Sequence, residues 1–187
     1  MTTTAHPTAT PQDVLHFWFE QSTPAQWFQK DDAFDAAIRE RFGALHARAA
    51  QGELWDWRHD AASRLAEVIV LDQFSRNLLR GRPEAFAQDG MALVLAQEAV
   101  ARGLDAQLAP ERRAFLYMPF MHSESARMQE ESVRLFTALG QANNLDYAHQ
   151  HQAIVQRFGR FPHRNATLGR ATTDEEAAFL QQPGSSF

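Results

Sequence analysis

The sequence predicts an all-α protein, a single domain of antiparallel helical hairpins, on three observations. Helix caps and breakers recur along its length, strand-type alternation is nearly absent, and the most apolar stretch, residues 61–80, is nonpolar on two faces at helical spacing. A helix buried on two sides needs other helices around it. With 187 residues, 44% of them hydrophobic and 22% charged, the chain is about one domain long and can bury a core of its own.

The elements follow in order. Residues 1–10 have neither a basic start nor an apolar stretch, so they read as a disordered leader rather than a secretory signal, with one domain over 11–187. Thr10-Pro11-Gln12-Asp13 places a hydroxyl before a proline, the signature of a helix start. Thr23-Pro24 restarts the chain toward Trp27-Phe28, and Asp31-Asp32 opens a longer helix in which Phe34, Ile38, Phe42 and Leu45 share a face. Residues 61–80 form the central helix, which Gly81 and Pro83 break. Glu84 then gives the following helix an acidic first turn that suits its dipole, and Gly103 ends it.

Pro110-Glu111 opens a further helix that Pro119 is expected to kink or stop. Ser123 is the expected cap of the next, which runs to Gly140. Asp146 is the expected cap of a helix over Tyr147–Phe158, closed by Gly159 in the left-handed conformation. Thr173-Asp174-Glu175-Glu176 is a capping box before a last short helix.

Composition excludes several function classes. There is no cysteine, so disulfide frameworks, thiolate zinc, iron–sulfur clusters and cysteine nucleophiles are absent together. A net charge of −5 argues against nucleic-acid binding, which needs a basic surface. The longest apolar run, Val68-Ile69-Val70-Leu71, is far too short to span a bilayer, and the expected location is the cytoplasm. No His-Glu-x-x-His or comparable ligand set points to a metal, and the sequence names no cofactor.

Charge sign, however, is uneven. Between Asp146 and Asp174 there is no acidic residue, while Arg157, Arg160, Arg164, Arg170, His149, His151 and His163 fall in that segment. Arginine's planar fork suits carboxylate or phosphate, Gly159 permits close backbone approach, and Pro162 stiffens the turn that presents His163 and Arg164, with Asn165 beside them. On the central helix Asp72 and Arg76 lie one turn apart, with Asn77 extending the polar end. His122 precedes a helix start, with Glu124 two residues on, a placement suited to a general base. His151 shares a helix face with Tyr147, Ile154 and Val155, which suits a pocket wall or a hydrogen-bonded core.

Three strings carry a resemblance. Leu71-Asp72-Gln73-Phe74-Ser75-Arg76-Asn77, Phe115 to Glu124 (FLYMPFMHSE), and Arg157 to Asn165 (RFGRFPHRN) with Leu168-Gly169-Arg170 resemble the bacterial family catalogued as domain of unknown function 924. Together with Phe17-Trp18-Phe19 and Trp27-Phe28 they cover nearly the whole chain. The resemblance implies a tetratricopeptide-like superhelical bundle and no reaction, cofactor or partner. Ser75 stands where proline is expected in relatives, a departure expected to straighten the central helix.

Two functional expectations follow. In the first, Arg76, Asn77, His151, Arg157, Arg160, Arg164 and Asn165 hold a small anionic ligand, while His122 or His163 handles a proton and Asp72 or Glu124 orients the imidazole. Whether that site is enzymatic stays open. In the second, the helices form a scaffold for a protein or peptide partner, with Trp18, Trp27, Trp55 and Trp57 as anchors. The competing explanation of the arginines is that they pair with carboxylates and pin the C-terminal loop to the bundle.

Overall fold

Capping chemistry decides where the chain turns helical. The computed structural model describes residues 9–186, so residues 1–8 of the expected leader lie outside the described residues. Thr10, at the end of that leader, belongs to the fold: its Oγ1 accepts from the Asp13 N–H at 3.3 Å, and Asp13 Oδ2 accepts from the Thr10 N–H at 2.8 Å. This cap opens α1 (Pro11–His16), which continues as a π-helical stretch, Phe17–Gln21. A second reciprocal cap, between Thr23 and Gln26, opens α2 (Pro24–Phe28), and Asp31 caps α3 (Asp32–Ala50).

At the centre α4 (Ala61–Ile69), capped by Asp60, runs on through a π-helical turn, Val70–Phe74, into α5 (Ser75–Leu78). Leu65, Ala66, Val68, Ile69, Val70, Leu71 and Phe74 are all fully buried, as a two-faced apolar helix requires. Ser75, where straightening is expected, directly follows the widened turn. Ser75 Oγ donates back to the Leu71 carbonyl at 2.6 Å, a bond that competes with the regular helical ladder. With that proton committed, His46 Nε2 donates to Ser75 Oγ at 2.8 Å and ties α3 to the same turn. Trp18 and Phe42 close on Phe74, with ring centroids 5.6 and 5.1 Å away.

Four boundaries differ from the sequence expectation. Pro83–Phe86 is a 3₁₀ turn, not the start of a long helix, because the Ala85 and Ala87 N–H groups bond three residues back; α6 (Asp89–Ala101) begins later. α7 (Pro110–Met121) runs through Pro119, which lies in its last turn and forfeits one backbone bond while Ala114 to Met121 stay buried. In consequence α8 (Ala126–Leu139) starts at Ser125 rather than Ser123, and Glu124 lies in the connecting loop. Finally, α9 (Ala142–Phe158) begins a turn before Asp146, since Gly140, at φ 76°, ends α8 and only Gly140 and Gln141 separate the two helices.

The capping box of Thr173 and Glu176 opens α10 (Asp174–Phe179) as the sequence indicates. α8 packs along both α7 and α9, and α4 lies against α1, α6 and α7. Among the described residues there is no strand, and no helix is long and apolar enough to cross a membrane. Of the four tryptophans, Trp18 and Trp57 are buried, Trp27 is half-buried with its Nε1–H bonded to the Trp18 carbonyl at 2.9 Å, and Trp55 is exposed.

Candidate functional site

The polar end of the central helix meets the end of α7 and the loop after α9. Asp72 sits in the π-helical turn and His122 caps the C-terminus of α7; His122 Nδ1 lies 2.8 Å from Asp72 Oδ1. An ionised carboxylate only accepts, so Nδ1 carries the proton and Nε2 is the basic nitrogen. Among the described residues Nε2 has no hydrogen-bond partner. Burial opposes charge on Asp72, but His122 and Arg76 beside it, with a hydrogen bond donated by the Gln73 side-chain amide, hold its carboxyl well below the usual range.

Arg76 reaches Asp72 at 3.1 Å and grips Asp89, the first residue of α6, through two bonds of 2.9 and 3.0 Å. Arg164, in the 3₁₀ turn Pro162–Arg164, touches the same Asp89 carboxylate at 3.3 Å and donates to the His122 carbonyl at 3.0 Å. Both guanidinium groups lie over the Phe86 ring, and Arg164 also lies over Phe161. Burial, with Arg76 nearby, brings Arg164 down to about 10, so it stays cationic at neutral pH.

Glu124 fastens the loop after α9 to the bundle. It accepts from Arg170 at 2.7 and 2.9 Å and from the Phe161 N–H at 2.8 Å. Burial opposes its charge, and these bonds override burial and set its carboxyl below the ordinary value. Between the 3₁₀ turn, α6, the α7–α8 loop and the C-terminal loop lies a cavity of about 330 Å³. Asp89, His122, Ser123, Glu124 and Arg164 form its polar wall, and Phe86, Leu93, Pro119 and Leu168 contribute apolar surface.

Comparison with known proteins gives the chain its kin. Residues 14–184 match the family described as bacterial protein of unknown function, DUF924. The chain belongs to this family. A solved structure, that of a protein of unknown function, ATU0120, from Agrobacterium tumefaciens, is similar to this family member: 42% identity, a TM-score of 0.87, and coverage of 91% of this chain and 96% of that one. No curated protein matches.

In this DUF924 member the sequence-nominated residues divide into two groups. Asp72, Arg76, His122, Glu124 and Arg164 converge on the cavity or its immediate backing. His151 lies behind that group, its ring centroid 6.3 Å from His122 and 5.5 Å from Phe161, and its Nδ1–H donates to the Tyr147 carbonyl. His163 packs against Phe161 at 5.7 Å, and the cavity wall forms without it. Burial drives His151 down to about 3 and His163 to about 4, so both rings are neutral at physiological pH.

The remaining nominees serve other contacts. Arg160 faces Glu176 through bonds of 2.6 and 2.8 Å, Asn165 bridges Glu176 and Arg170, and Arg157 pairs with Glu175 at the surface. Asn77 bonds to Asp35 of α3 at 2.8 Å, on another flank of the central helix. These four pin elements together, as the competing explanation of the arginines expects for Arg157 and Arg160. The sequence reading missed Asp89 and Phe86. Asp89 carries no sequence signal beyond that of an acidic residue in a helix's first turn, and Phe86 reads as helix lining. Among the described residues no group of three or more His, Asp or Glu side chains could hold a metal ion.

Proposed function

We propose that the cavity binds a small anion with an apolar portion and that His122 exchanges a proton with it. The carrying observation is the Asp72–His122 pair: a buried carboxylate fixes the tautomer and orientation of an imidazole that lines the cavity. Arg164 supplies the cation, and Phe86, Leu93 and Leu168 supply an apolar wall of the size suited to a small organic acid. Three arginines, Arg76, Arg164 and Arg170, face three carboxylates, Asp72, Asp89 and Glu124, so the fixed charges of the site balance and His122 is left to exchange a proton with the ligand.

Calorimetric titration with butyrate, acetate and inorganic phosphate in two buffers of different ionisation enthalpy tests this. The expected result is binding of at least one probe with a net transfer of protons, and loss of that proton transfer in His122→Gln. If no probe binds the unaltered protein, or His122→Gln keeps the full proton transfer, the reading fails. The partner-scaffold reading draws less support, because Trp18 and Trp57 belong to the core and Trp27 is half covered.

A further inference from the structure

We propose that Asp89 is an internal stand-in for the ligand's anion, its carboxylate occupying a two-arginine clamp that a bound carboxylate or phosphate takes over. This inference rests on the reading of the cavity as an anion site. Arg76 and Arg164 come from elements far apart in sequence yet converge on one carboxylate over one ring, Phe86. Two forked cations facing a single anion is the arrangement that recognises carboxylates and phosphates between molecules.

Arg164 is not saturated by Asp89. Its Nη1 reaches that carboxylate only at 3.3 Å, and its Nε is buried with no hydrogen-bond partner among the described residues, Arg164 being just 7% exposed. An orphaned donor on a buried arginine is costly unless something fills it. Asp89, by contrast, keeps 20% of its side chain exposed on the cavity wall, and among the described residues its side-chain bonds go to these two arginines alone. Rotation about its own side chain releases it to solvent without disturbing the backbone of α6.

The exchange also conserves charge. When Asp89 leaves, Arg76 keeps Asp72 at 3.1 Å and Arg164 keeps the His122 carbonyl at 3.0 Å, so the incoming anion replaces one negative charge with another. A tethered competitor lowers apparent affinity by the fraction of time the clamp stands open. Removing it raises affinity for any probe the clamp accepts.

Titration of the unaltered protein, Asp89→Asn and Asp89→Ala with acetate and inorganic phosphate separates the possibilities. The variants are expected to bind at least one probe about tenfold more tightly than the unaltered protein, and adding Arg164→Gln to Asp89→Asn should abolish the gain. Variants that bind both probes no better than the unaltered protein overturn the stand-in while leaving the cavity reading in place. Absence of binding by every form overturns both. Should the variants fail to fold, crystals of the unaltered protein soaked in butyrate decide: an anion on Arg164 with Asp89 turned outward supports the exchange, and an anion in the cavity with Asp89 still on both arginines overturns it.

Discussion

Asp72 shows how much one buried charge can carry. Its side chain is 1% exposed and is held by His122, Arg76 and Gln73 together. Asp72→Ala leaves a protonatable ring and a guanidinium without their shared acceptor, and should lower unfolding free energy by about 3–5 kcal/mol in urea titrations, whereas Asp72→Asn, which keeps the shape, should lose less. Trp18 and Trp55 give an independent contrast. Trp18, fully buried among Trp27, Phe34, Phe74 and Phe115, should cost about 3–5 kcal/mol on truncation to alanine, and the exposed Trp55 about 0.5 kcal/mol or less, in the same titrations. At this scale the sequence was partly legible: Asp72 and Arg76 announce themselves by one-turn spacing, and His122 and Glu124 by their place near a helix end. Asp89 does not, because its role comes from two arginines 13 and 75 residues away.

At the scale of elements, glycines offer opposite predictions. Gly159 closes α9 at φ 69°, so Gly159→Ala forces a left-handed alanine and should cost about 1–2 kcal/mol, read from thermal unfolding. Gly43 lies inside α3 with ordinary helical geometry and open space where a Cβ would go, so Gly43→Ala should add about 0.5–1 kcal/mol in the same assay. Caps written as local chemistry, at Thr10, Asp31, Thr173 and Gly159, could be read directly. Pro119 and Asp146 misled because tertiary packing outweighs local preference: a proline in a last turn loses little, and a two-residue turn leaves no room for a later start. The π-helical turn that carries Asp72 has no periodicity of its own to betray it.

For the whole molecule the sharpest prediction concerns acid. Burial holds His151 down to about 3 and His163 to about 4, against an ordinary 6.5. Above pH 6.5 both rings are neutral in the folded and unfolded chain alike, and their contribution is complete. As pH falls through 6.5 the unfolded chain takes up protons that the folded one refuses, and stability should drop by up to about 2.7 kcal/mol per pH unit from these two rings. Below pH 4.5 Glu176, held down to about 2 chiefly by its bonds to Arg160, presses in the same direction. Urea midpoints recorded from pH 7.5 to 4.5 should therefore fall steeply and monotonically, and the slope should flatten in a His151→Gln, His163→Gln double variant.

The bonds that complete the cavity join residues far apart in sequence. His122 to Asp72 spans 50 residues, Arg170 to Glu124 spans 46, and Arg164 to Asp89 spans 75. Closures of that length come late, after local helices have formed. On a ribosome the cavity therefore stays unfinished until the segment from Phe161 to Arg170 has emerged, since Arg164 and Arg170 supply two of these closures.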